Sequence, residues 1–120
     1  MKIAVTAQGR DFNAPVDPRF GRASCFVVVD TETGAFSVAD NAQNLNALQG
    51  AGIQAGRTVV DLGVGAVITG NVGPKAFATL TAGGVKVYTG ATGDVGEAIE
   101  QFKAGALKLV DDATVEEHWV

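Results

Sequence analysis

Apolar positions fall into two regimes along this chain. In the first half they come in short runs of period two or none, and in the second half helical stripes alternate with short apolar runs. Lys2 to Ala7 reads as a strand. Gln8 to Arg22 has no period, contains Pro15, Pro18 and Gly21, and is longer than most connections in compact domains, which marks it as functional or mobile. Phe26-Val27-Val28-Val29 is continuously apolar and β-branched, the signature of a central strand buried on both faces. Asp30 to Gly34 is a turn cluster, and Ala35-Phe36-Ser37-Val38 then alternates as the antiparallel edge partner of a hairpin. Asn41 to Gln49 is polar and unpatterned.

Beyond Gly50 the period lengthens. Gly52, Ala55, Gly56, Val59 and Val60 form a small-sided helical stripe suited to close packing. Ala66-Val67-Ile68 is a buried strand. Pro74 fits a first helical turn, Ala76, Phe77 and Leu80 form that helix's apolar face, and Gly83-Gly84 ends it. Val85 to Tyr88 alternates as a strand. Val95, Ala98, Ile99 and Phe102 repeat at helical spacing, with Asp94 and Glu97 placed as a capping box and Gly105 past the end. The order β-loop-β-β-α-β-α-β-α predicts an α/β fold, a mixed five-stranded sheet with helices packed on it.

Composition narrows the classes. The 120 residues make one domain, 47% hydrophobic and 18% charged, too apolar for a disordered chain. No segment has the length to span a bilayer, and the amino terminus lacks a signal-peptide apolar stretch, so the expectation is a cytoplasmic protein without a membrane partner. A net charge of −4 argues against nucleic acid as a partner. One Cys (Cys25) and one His (His118) cannot build a four-ligand zinc site or a thiolate-held iron–sulfur cluster, so no protein metal ligand is expected. Cys25 reads as a core residue. No Ser-His or Cys-His pairing supports catalysis, so no catalytic residue is assigned.

Glycine is the outlier. Twelve of the sixteen glycines lie between Gly50 and Gly96, punctuating turns and helix ends. Three segments have the chemistry of an anion site. In Pro15 to Arg22, two prolines stiffen a loop in which Arg19 and Arg22 flank Phe20-Gly21. It is either an anion-binding loop or one pinned by Arg–Asp pairs with Asp11 or Asp17. Gly50-Ala51-Gly52-Ile53 opens a helix, where bare N–H groups favour anions. The alternative is close helix packing, and the dinucleotide fingerprint is only superficially matched. Gly70-Asn71-Val72-Gly73 joins a strand end to a helix start, and Gly90 repeats that geometry after the next strand. Asp94 and Glu97 would repel an anion at the last helix.

The blocks Met1 to Val5, Pro15 to Arg22, Phe26 to Gly34, Gly50 to Ala55, Thr69 to Phe77 and Gly90 to Phe102 together resemble the dinitrogenase iron–molybdenum cofactor biosynthesis family, and within it the orange-protein group of small stand-alone members. The resemblance implies a ribonuclease H-like fold with sheet order 3-2-1-4-5. It implies residues 1–108 as a single cluster-binding domain, with 109–120 an acidic C-terminal tail. It also implies non-catalytic, non-covalent carriage of an anionic molybdenum-containing sulfide cluster. A molybdenum–copper sulfide cluster is the leading cargo and an iron–molybdenum cofactor precursor the alternative. A protein partner for cluster transfer follows from the carrier role. Such a cluster brings its own sulfides and needs Arg, N–H donors and apolar walls, which assigns Arg19, Phe20, Gly21, Arg22, Gly50, Ala51, Gly52, Ile53, Gly70, Asn71, Val72, Gly73 and Gly90 to the site. Where the family often carries a His or other ligand-type residue before the first helix, this chain has Gln49. The rival class is an enzyme or sensor holding a phosphate-bearing small molecule in the same cleft. Another rival is a pure interaction module contacting its partner through Trp119 and the acidic tail. His118 and Trp119 lie in that tail.

Overall fold

A computed structural model describes residues 1–41 and 51–115. The strands are β1 (Lys2–Ala7), β2 (Cys25–Asp30), β3 (Phe36–Asp40), β4 (Ala66–Ile68), β5 (Lys86–Thr89) and β6 (Lys108–Leu109). The helices are α1 (Ala51–Asp61), α2 (Pro74–Ala82) and α3 (Val95–Lys103), with a 3₁₀ turn at Phe20–Arg22. They form one mixed sheet in the order β3-β2-β1-β4-β5-β6. β1 pairs antiparallel with β2 and parallel with β4, β5 runs parallel to β4, and β6 returns antiparallel to β5. This is the expected ribonuclease H-like order with one strand added. The expectation of five strands is corrected to six: β6 is two residues long, too short to show a period, and exists because its backbone pairs with Tyr88 and Thr89.

Alternation splits the sheet's side chains between two cores. Ala4, Phe26, Val28, Val67 and Val87 face Val59 of α1 and Ala76 and Leu80 of α2. Ile3, Val5, Val27, Val29, Ala66 and Ile68 face Val16 and Val95, Ala98 and Ile99 of α3. The unbroken apolar run of β2 therefore reflects burial on both faces. The small stripe of α1 has a direct consequence: a Cβ on Gly52 would lie 3.2 Å from the Ala76 Cβ, and one on Gly56 2.9 Å from Thr79 Cγ2. Glycine thus lets α1 and α2 approach closely, so close helix packing accounts for these two glycines.

The capping box of α3 forms as its spacing predicts. Asp94 Oδ1 accepts from the Glu97 N–H at 2.8 Å, and Glu97 Oε1 accepts from the Asp94 N–H at 3.2 Å. On edge strand β3, Phe36 is half exposed and its ring packs on Phe12 at 4.7 Å. Among the described residues, no helix is long and apolar enough to cross a membrane. The C-terminal segment packs on the body as far as it is described: Val110 is buried and its N–H donates to the Val87 carbonyl at 3.0 Å.

Candidate functional site

β1, β4 and β5 run parallel, so their C-terminal ends share one edge of the molecule. The chain leaves β1 toward β2 on one side and β4 toward β5 on the other, so these neighbouring ends flank a topological switch point, where α/β sheets place ligands. Here the Pro15–Arg22 segment lies across that crevice. It is stitched down along its length. The Asp17 N–H donates to the Thr6 carbonyl at 2.9 Å, the Val16 N–H to the Gly93 carbonyl at 3.0 Å, the Asn71 N–H to the Pro18 carbonyl at 2.8 Å, and the Phe20 N–H to the Asn71 carbonyl at 3.2 Å.

Beneath it lies a buried hydroxyl pair. Thr6 Oγ1 donates to the Asp17 carbonyl at 2.8 Å and shares a 2.9 Å hydrogen bond with Thr69 Oγ1. Thr6 is the penultimate residue of β1 and Thr69 directly follows β4, and their hydroxyls satisfy polar groups that burial would leave unpaired. Sequence reasoning passed over them; the available signal was a Thr near the C-terminal end of each of two apolar segments.

Steric fit is tight where the segments cross. A Cβ on Gly70 would sit 2.7 Å from Pro18 Cα, and one on Gly21 3.1 Å from Gly52 Cα. The structure therefore brings Gly21, Ala51 and Gly52 into one contact and Pro18, Arg19, Gly70 and Asn71 into another, while the Gly90 N–H donates to the Gly70 carbonyl at 3.2 Å. Gly90 itself takes φ 88°, a backbone angle that favours glycine.

The predicted residues are not equivalent in this frame. Arg19 and Gly90 are exposed, while Gly70, Asn71, Arg22 and Ile53 are half-buried. Gly73 is buried as the N-cap of α2. Gly50 lies outside the described residues, as do Gln49, His118 and Trp119. Phe20 was assigned to an apolar wall, and the structure corrects this: it is 1% exposed, packs on Phe26 at 5.8 Å and belongs to the core beneath α1 and α2. An aromatic between two arginines reads as a contact residue locally, but the 3₁₀ turn rotates it inward.

Val72 is likewise a fully buried core side chain, and its N–H is already engaged by Thr114 Oγ1 at 2.9 Å. The glycine turn is thus less rich in vacant donors than its composition suggests. None of the assigned residues lines the open cavity of about 820 Å³ between α2 and β5–β6, which is bordered by Phe77, Val87 and Leu109.

Of the cations at this crevice, Arg19 is the exposed one. Among the described residues, no carboxylate stands within ion-pair distance of its guanidinium; the ion pairs are Arg10–Asp40, Lys103–Glu100 and the amino terminus with Glu32. Asp17 does pin the loop, but through the backbone: its Oδ1 accepts from the Arg19 N–H at 3.0 Å, leaving the guanidinium to solvent. Cys25 is buried and its thiol donates to the Gly9 carbonyl at 3.0 Å; burial, with Asp40 adding to it and Arg10 opposing, pushes its pKa up. A protonated, engaged thiol is a poor metal ligand. Among the described residues, no three His, Cys, Asp or Glu side chains group to hold a metal ion. What the surface offers is an exposed cation beside glycine turns, chemistry for recognising a preformed anion rather than for coordinating a bare ion.

The chain matches a family model described as dinitrogenase iron–molybdenum cofactor over residues 1–105. It is similar to the orange protein from Desulfovibrio gigas, solved in its apo form. That match has 41% identity, covers 95% of this chain and 96% of the other, and has a TM-score of 0.90. A Thermotoga protein solved by NMR is 35% identical over 95% and 97% of the two chains, with a TM-score of 0.77. An uncharacterised protein of Methanocaldococcus jannaschii is 32% identical over 90% of each chain.

Proposed function

The chain belongs to the dinitrogenase iron–molybdenum cofactor family, and from that premise we propose that it is a non-catalytic carrier of an anionic molybdenum–copper sulfide cluster, held without covalent attachment. Membership, with the likeness to the orange protein, ties the chain to metal-cluster binding or biosynthesis. The finer reading is supported above all by one observation: Arg19, exposed and without a carboxylate partner among the described residues, stands against the Gly70–Asn71 turn at the switch point of the sheet.

The residues present fit such a cargo. A sulfide cluster supplies its own inner ligands, so the protein needs no thiolate set, and the single buried Cys25 is no obstacle. A bulky, soft anion suits a guanidinium, which is weakly hydrated and presents a planar fork of donors. Arg19 would hold it by charge-assisted hydrogen bonds, with Arg22 on the adjoining 3₁₀ turn adding positive potential. Among the described residues no side chain in this surface is paired as nucleophile and base, and the carrier role asks none to move a proton. The protein's part is to bind, orient and shield the cargo, and then to release it to a partner protein.

The test is titration of tetrathiomolybdate and copper, read by visible absorbance at two salt concentrations, into Arg19→Ala, Arg22→Ala and Lys103→Ala proteins. Each charge-assisted hydrogen bond contributes about 1.5–3 kcal/mol, so losing one arginine should weaken binding roughly 10- to 150-fold. Lys103 faces away on α3, paired with Glu100, and serves as control. Added salt should weaken the wild type further. Arginine variants that bind as tightly as the Lys103 variant would place the site elsewhere.

A further inference from the structure

The family match ends at residue 105, and the segment that follows makes one concentrated contact with the site. Past β6 the chain runs through Asp111 and Asp112 and closes on a single residue of the β4–α2 turn. The Val72 N–H donates to Thr114 Oγ1 at 2.9 Å. The Val72 carbonyl accepts from the Thr114 N–H at 2.9 Å, from the Thr114 hydroxyl at 3.3 Å and from the Val115 N–H at 3.3 Å. Both backbone groups of Val72 are thus taken by the C-terminal segment. Val72 follows Asn71, which pairs with Arg19, so this clasp sits one residue from the proposed anion surface.

We infer that residues 111–115 form an acidic strap that competes with anionic cargo for the β4–α2 turn, and that it must be displaced for full access. Two features carry this. The strap consumes an N–H donor of the turn, and it carries Asp111 and Asp112, both exposed, just before the Thr114 clasp. Both effects disfavour a polyanion: one removes a hydrogen bond, the other adds like charge. The clasp is also built to open. Thr114 is exposed and its hydrogen bonds to Val72 are only part-buried, and Val110, whose N–H is tied to Val87, anchors the strap's base.

The inference rests on the anion reading of this turn, so its test has two independent readouts. Wild type, Thr114→Val and a chain ending at Val110 are compared. Amide hydrogen exchange at Val72 reads the clasp without any cargo, and should quicken in both variants. Uptake of tetrathiomolybdate with copper reads access, and should tighten about tenfold in the Thr114→Val protein, the gain of one charge-assisted donor, and more in the shortened chain. Faster exchange at Val72 with equal or weaker uptake in the variants overturns the strap while leaving the site intact. Absence of uptake in all three proteins overturns the site and, with it, the strap. Unchanged exchange at Val72 in the Thr114→Val protein removes the clasp itself.

Discussion

Adding one methyl group at Gly70 tests whether the loop crossing is as tight as the structure has it. The new Cβ would lie 2.7 Å from Pro18 Cα, 2.8 Å from its carbonyl oxygen and 3.1 Å from its carbonyl carbon, all of them backbone atoms that no rotamer change can clear. Relief to an ordinary contact near 3.4 Å needs a retreat of about 0.7 Å by the Pro18 backbone. That retreat pulls on two main-chain hydrogen bonds, from the Asn71 N–H to Pro18 at 2.8 Å and from the Phe20 N–H to Asn71 at 3.2 Å. Overpacking of this kind costs about 1–3 kcal/mol, and weakening two hydrogen bonds up to about 1–3 kcal/mol more. The stiffer unfolded chain returns about 0.4–1 kcal/mol, because Gly70 does not have positive φ.

Gly70→Ala should therefore lose about 2–4 kcal/mol in urea unfolding, and roughly 5–15 °C in Tm. Gly96→Ala is the matched control. Its Cβ would meet Asp94 Oδ1 at 3.4 Å and the Phe12 carbonyl oxygen at 3.5 Å, ordinary contacts inside α3, so alanine should stabilise by about 0.5–1 kcal/mol. The same chemical change thus takes opposite signs at two glycines. A Gly70→Ala protein within about 0.5 kcal/mol of wild type would refute the argument that glycine is required at the crossing.

Two further outcomes follow from burial. Phe20→Ala should cost about 3–5 kcal/mol, and Phe20→Leu much less, measured by chemical denaturation, because the ring fills the core against Phe26; a stable Phe20→Ala protein impaired only in cluster uptake would return Phe20 to the site wall. The raised pKa of Cys25 makes stability full below the pH of ordinary thiol ionisation, about 8.5, and lost as pH rises toward the folded-state value; melts from pH 7 to 10 should fall more steeply for wild type than for Cys25→Ala, and parallel curves would show that the thiol does not titrate differently on folding.

Much of the fold is written locally. Alternation in Phe36–Val38, the apolar runs of β2 and β4, the proline opening α2 and the Asp94–Glu97 box each report a constraint acting within a few residues, and each element forms where its pattern lies. Arg19 was legible as a candidate cation because two prolines and Gly21 mark a stiff loop around it, while the same segment also read as a loop pinned by Arg–Asp pairs. Packing between distant segments decided the rest. Phe20 turned inward because the 3₁₀ turn meets α1, a contact no spacing encodes. β6 exists because β5 had an open edge. The Thr6–Thr69 pair joins residues 63 apart, and Thr114 reaches Val72 across 42, so their roles appear only once the sheet has brought those backbones together. Local propensity specifies which φ and ψ a segment adopts. Which buried donor meets which acceptor is set by chain topology, and the switch point, with the strap beside it, belongs to that second kind of information.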